Sequence, residues 1–250
     1  MTDVPMIPTE INGRWTLLLP QHRAERAQWN IENGGWETER IAAMAESIGP
    51  GSVVYDIGAE EGDLPALWAS WGAEVVLVEP NPLVWPNMKV IFEANDLVGL
   101  LRGWFVGFAG EHARLPVGTF QEDYVWDEWG IWPKCAFGSV IGDHGFLVLE
   151  ERPDVPVTTV DALAQEWGAP THITIDVEGA ELTVLRGARD VLLGQRPTVF
   201  VSIHTDLPWM ELRYPGDTRD SVIAFMNLVG YDGEHLATDH EEHWVFRPRP

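Results

Sequence analysis

Cysteine is almost absent: the single Cys135 excludes an intramolecular disulfide and a thiolate zinc site. Cations are scarce as well. Sixteen Lys+Arg face 39 Asp+Glu, a formal net charge of −23. That balance weighs against nucleic acid and against an anionic membrane surface, since both are gripped through Lys and Arg. No apolar run reaches the ~18 residues needed to span a bilayer. The opening MTDVPMIPTE lacks the basic and apolar stretches of a secretory leader, so a cytoplasmic location is expected. Repeats and low-complexity tracts are missing too. What is present is a chain of 250 residues, 45% hydrophobic, enough for one sizeable core.

Residues 1–35 read as irregular, with Pro5, Pro8 and Pro20 and the turn Asn33-Gly34-Gly35. Ile41, Met44, Ala45 and Ile48 then recur at helical spacing, which predicts a helix over 37–47 stopped by Gly49-Pro50-Gly51. Residues 1–51 are expected to pack on a main domain of residues 52–250. From Ser52 strands and helices alternate. Strands are expected at 53–57, 74–78, 102–107, 172–177 and 198–204, with helices at 63–71, 81–95, 160–167, 180–193 and 218–229. The second of these helices is expected to start at Asn81-Pro82. Residues 108–155 break the rhythm, with one strand at 146–150, and a hairpin closes the chain at 231–246. Apolar strands alternating with helices predict an α/β fold with a mostly parallel, doubly wound sheet and a C-terminal antiparallel hairpin.

In such sheets ligands sit at the carboxyl ends of the strands. The first strand-to-helix loop, Asp56-Ile57-Gly58-Ala59-Glu60-Glu61-Gly62-Asp63, puts three acids, Glu60, Glu61 and Asp63, at a helix N-terminus, with no Lys or Arg nearby in sequence. It matches neither dinucleotide nor nucleoside-triphosphate glycine motifs, and its charge repels a pyrophosphate. Glu79 ends the second strand, where an acid can grip two ribose hydroxyls. A ribose-bearing, unphosphorylated, cationic cofactor points to S-adenosylmethionine (SAM). Asp56, Gly58, Glu60, Gly62, Glu79 and Asn81 are the candidate cofactor residues.

VVYDIGAEEGD, VVLVEPNP, VPVTTVDAL, ITIDVEGAELTVLRGARDVL and RPTVFVSIH together resemble the FkbM-type SAM-dependent methyltransferases, over roughly residues 52–250. Glu60 stands where that family usually has Asn, and Ser202 where it often has an acid. The resemblance implies a Rossmann-like, seven-stranded methyltransferase fold. It also implies methyl transfer to an oxygen, often on a sugar or natural product.

A hydroxyl acceptor must lose a proton, which calls for a general base or a metal. Asp176 and Glu178 end one strand and His204 ends the next. His204 is the candidate base because imidazole titrates near neutrality. Asp176, Glu178 and His204 could instead hold Mg²⁺ or Mn²⁺. Trp126, Trp129 and Trp132 lie in an insertion at about 111–145 that could form an acceptor-binding lid, their rings stacking on a sugar. His235, His240 and His243 with Glu241 and Glu242 read as a polar hairpin turn. The expected function is O-methylation of a hydroxyl on a sugar or glycosylated small molecule. The alternatives are methylation of a modified nucleic acid or other polymer, and a non-catalytic binding module. Nothing in the sequence sets the oligomeric state, and a homo-oligomer is left open.

Overall fold

The computed structural model describes residues 5–82, 84–116, 149–204, 218–239 and 241–250. A seven-stranded sheet organises them. Its strands are β3 (Val53–Ile57), β4 (Glu74–Glu79), β5 (Leu101–Val106), β10 (His172–Ile175), β11 (Thr198–Ile203), β12 (Tyr231–Thr238) and β13 (Glu242–Pro248). The order across the sheet is β12-β13-β11-β10-β3-β4-β5. β3 pairs in parallel with both β4 and β10, and β10 with β11. β13 runs antiparallel to both β11 and β12, so it alone is reversed. The expected doubly wound sheet and its closing hairpin are both there.

The strands are apolar on both faces because both faces are covered. Val54, Val75, Leu77 and Phe200 point into one core, shared with α1 (Gln21–Glu32), α2 (Thr38–Ala45), α3 (Asp63–Ser70) and α4 (Trp85–Ala94). Their alternating neighbours Tyr55, Ile57, Val76 and Val78 point into the other. That core is shared with α5 (Val160–Trp167), α6 (Glu181–Arg186), α7 (Arg189–Gly194) and α8 (Arg219–Leu228). The period-2 alternation of a strand thus feeds two layers of helices. Short strand pairs complete the described chain: β6 (Phe108–Ala109) with β9 (Val157–Thr158), and β7 (Arg114–Pro116) with β8 (Leu149–Glu151).

Three local expectations fail. Residues 6–32 are not irregular. β1 (Met6–Ile11) and β2 (Trp15–Pro20) form a hairpin around Asn12 and Gly13, both at positive φ, and α1 follows directly. Asn-Gly flanked by alternating apolar residues is a hairpin signal. Here Thr9, Ile11, Leu17 and Leu19 supply the buried face. Second, α4 starts at Trp85, with Pro86 in its first turn, rather than at Asn81-Pro82. The Asn81 N–H is instead donated to Glu79 Oε1. Third, the helix expected over 180–193 is two, broken at Gly187, which packs against Gly110.

Gly58 links the sheet to the site. Its φ is +91°, and a Cβ there would lie 1.8 Å from the Asp176 carbonyl oxygen. Gly58→Ala is therefore expected to destabilise the fold by at least ~3 kcal/mol, combining left-handed strain with overpacking. Urea unfolding checks this, and a loss under ~1 kcal/mol would contradict the close approach of β3 and β10.

Candidate functional site

The loop after β3 runs into the N-terminus of α3 and is left-handed at Gly58, Glu60 (φ 48°) and Gly62. Its acids are not uncompensated, which corrects the expectation drawn from the loop alone. Arg23 of α1, 2% exposed, enters from the N-terminal segment. Its Nε donates to Asp63 Oδ2 at 2.6 Å and its Nη2 to Glu60 Oε2 at 3.0 Å. Glu61 takes a bond of 2.7 Å from Asn87 Nδ2 and a contact of 2.5 Å from His22 Nε2. Glu61 and Asp63 are thus buried structural groups, while Glu60 is partly exposed.

Glu79, at the end of β4, lies beside this loop. Its Oε2 accepts the Glu60 N–H at 3.1 Å and its Oε1 the Asn81 N–H at 2.8 Å. Burial pushes its pKa up to about 8, against the pull of those two N–H donors. Asp56, buried in β3, is also raised by burial, with Arg40 opposing.

The second half of the site gathers at the ends of β10 and β11. His204 is 1% exposed and enclosed by carboxylates. Its Nδ1 meets Glu181 Oε1 at 3.0 Å; its Nε2 lies 2.5 Å from Glu241, 3.1 Å from Glu178 and 3.7 Å from Asp176. Burial alone would lower the His204 pKa. The carboxylates of Glu178 and Glu241 and the bond to Glu181 overcome that and raise it well above the usual value. Burial raises Asp176 to about 7, with Glu241 adding and His204 and Arg40 opposing. Arg40 of α2, fully enclosed, pairs with Glu37, lies 3.4 Å from Asp176 and donates to Thr174 Oγ1 at 2.7 Å. Asp176 and Glu178 keep 26% and 20% of their side chains exposed, so they are the acids that a ligand can reach. Glu37, Glu60 and Glu178 all have positive φ, a strain that persists where surroundings over-determine the backbone.

The candidate metal set does not fit a divalent cation. Ligand atoms of Asp176, Glu178 and His204 do fall within 4.8 Å of one another. Yet His204 already has a carboxylate against each ring nitrogen, Glu181 on Nδ1 and Glu241 on Nε2, so neither nitrogen faces an open coordination position. Glu37, Glu241 and His243 converge similarly, but Arg40 is already paired with Glu37 there.

Besides Arg23, Arg40 and Glu37, two residues near the C-terminus escaped the sequence reading. Glu241 and His243 belong to the hairpin expected to be a polar turn, and both are buried. Glu241 seals His204, and His243 Nδ1 lies 3.2 Å from Ser202 Oγ, with Asp239 on its other nitrogen. Ser202 is fully buried, so this Ser–His–Asp order is not a nucleophile's. His235 is exposed, but it lies in strand β12, paired with Trp244, and not in the turn expected of it. Trp126, Trp129, Trp132 and His240 lie outside the described residues.

Sheet order and site together define a Rossmann-like methyltransferase fold. The chain belongs to the FkbM methyltransferase family, whose "Methyltransferase FkbM domain" matches residues 56–232. Among solved structures it is similar to an FkbM methyltransferase from Methylobacillus flagellatus KT, at 18% identity and a TM-score of 0.47. That similarity covers 78% of this chain and 43% of the other, so the chain spans less than half of that relative. A precorrin-6y C5,15-methyltransferase from Geobacter metallireducens GS-15 is 10% identical, with a TM-score of 0.48, over 87% of this chain and 90% of that one. A TehB-like SAM-dependent methyltransferase from Corynebacterium glutamicum is also 10% identical, with a TM-score of 0.45, over 92% and 97%. No curated protein matches the chain significantly. Among the described residues no helix is long and apolar enough to cross a membrane.

Asp176 sets a pH dependence. Its folded pKa of about 7 lies above the ~3.9 of an unfolded Asp, so between those values the native state binds more protons. The stability that this proton provides is fully present below pH ~4 and is lost as pH rises through ~7. Asp176→Asn should therefore flatten the fall in stability from pH 5 to 8. Urea midpoints across that range check it, and parallel curves for variant and wild type would contradict it.

Proposed function

We propose that this protein is a SAM-dependent O-methyltransferase acting on a hydroxyl of a sugar or glycosylated small molecule. The observation that carries the reading is Glu79: a buried carboxylate at the end of β4, beside the Gly58–Gly62 loop, with a pKa lifted by burial despite two backbone N–H donors. Each carboxylate oxygen can accept a further hydrogen bond, and two ribose hydroxyls are donors of that kind. Family membership supports methyl transfer.

SAM, when bound, supplies a methyl group on a sulfonium, ready for in-line displacement. Glu79 would hold the ribose, with Asp56, Gly58, Glu60, Gly62 and Asn81 shaping the loop around it. Asp176 takes the proton of the acceptor hydroxyl. It is reachable, and a pKa of about 7 matches the working pH. His204, enclosed and cationic, is less suited to that role than the sequence suggested. It instead holds Glu178 and Asp176 in place as a fixed positive charge. The partly exposed acids Glu60, Asp176 and Glu178 favour a cationic donor and disfavour phosphorylated acceptors. Trp126, Trp129 and Trp132 remain the proposed acceptor platform, and the cytoplasm the proposed location.

Calorimetry with SAM tests the cofactor. Glu79→Ala should weaken SAM by about 1–3 kcal/mol through unpaired hydroxyls, while NAD and ATP bind to neither form. Unchanged SAM affinity in this variant would overturn the assignment. With labelled SAM and candidate glycosides, Asp176→Asn should lower turnover by ~10²–10⁴-fold. Wild-type turnover should rise with pH through ~7 as Asp176 loses its proton. Wild-type turnover in Asp176→Asn would remove it as the base.

A further inference from the structure

We propose that Arg23, which lies outside the family-matched residues 56–232, is a positioning residue of the cofactor site, clamping the first loop so that the Glu60 backbone presents its N–H to Glu79. The proposal rests on the reading of Glu79 as the ribose-binding acid. Arg23 is enclosed on every side. Besides its bonds to Asp63 and Glu60, its Nη1 lies 3.3 Å from Glu60 Oε1 and 3.5 Å from Glu61 Oε1, and the Trp36 ring packs 6.0 Å from the guanidinium. One planar fork therefore engages both oxygens of Glu60 and reaches the other two acids of the loop. A lysine point charge has no such fork.

The coupling to Glu79 runs through the backbone. Glu60 sits at φ 48°, a conformation that an L side chain adopts only when its surroundings over-determine it. Two anchors do so here: Arg23 on the side chain and Glu79 on the N–H. Without Arg23, three neighbouring carboxylates repel one another, and Glu60 loses the anchor that holds its peptide toward Glu79. His22 and Asn87 hold Glu61 separately, so Arg23 is the cation that Glu60 and Asp63 share. The N-terminal hairpin and α1, which present Arg23, are thus part of the cofactor site.

The test measures SAM affinity by calorimetry on wild type, Arg23→Lys and Arg23→Gln, with circular dichroism to confirm folding. Arg23→Gln should raise the SAM Kd about tenfold, or ~1.4 kcal/mol. Arg23→Lys should fall between it and wild type. Met226→Ala, on the buried face of α8 and far from the loop in sequence, serves as control. It should lower the thermal midpoint and leave the Kd at the wild-type value, as a merely structural role for residue 23 would. If Arg23→Gln does not fold, the double variant Arg23→Gln/Asp63→Asn removes the unpaired buried charge and carries the same expectation. An unchanged Kd in the folded variants overturns the proposal. Wild-type protein that binds no SAM overturns the cofactor reading, and this proposal with it, a result distinct from a Kd insensitive to residue 23.

Discussion

Burying a carboxylate costs several kcal/mol unless a cation or hydrogen-bond donors go in with it. The carboxyl ends of β3, β10 and β11 collect buried acids on a scale that the strands themselves cannot offset. Two arginines from the N-terminal segment settle the matter: Arg23 for the loop after β3, and Arg40 for the cluster around Asp176. Neither has solvent to fall back on, and neither belongs to the family-matched residues. The rest of the site depends on this compensation. With it, Glu61 and Asp63 can serve as struts beneath the loop. His204 can sit sealed among Glu181, Glu241 and Glu178 without the cluster flying apart.

The same arrangement sets the chemistry. Burial, with Glu241 beside it, lifts the Asp176 carboxyl to about 7, and Arg40 and His204 offset only part of that rise. A group of that kind, with a quarter of its side chain open, exchanges protons readily at pH 7. The reachable surface stays acidic because both arginines face inward. Cationic and neutral ligands are therefore favoured there over phosphates, in keeping with a sulfonium donor and a hydroxyl acceptor.

Much of this was legible in the sequence. The Val-rich runs at 53–57 and 74–79 and their intervening helix declare a parallel core, because both-faces burial leaves an unbroken apolar stretch. Glu79 was legible from its distance beyond Gly58, and Asp176, Glu178 and His204 from their places at strand ends. The N-terminal hairpin was legible in principle from Asn12-Gly13. The charge pairing was not. Arg23 meets Asp63 across 40 positions and Arg40 meets Asp176 across 136, and such pairs leave no periodic trace in the chain. The acid- and histidine-rich stretch between Asp239 and His243 looked like solvent-facing polarity for the same reason. Only the fold of β13 against β11 turns Glu241 and His243 inward.

The account stands on His204 being a permanently charged, sealed imidazolium and not a free base or a metal ligand. Nitrogen NMR of the selectively labelled histidine ring reads that state directly. The expected result is a proton on both ring nitrogens from pH 6 through pH 8, with no neutral tautomer appearing. A neutral His204 at pH 7, with a lone pair on Nε2, would contradict the account and return that residue to the role of base or ligand.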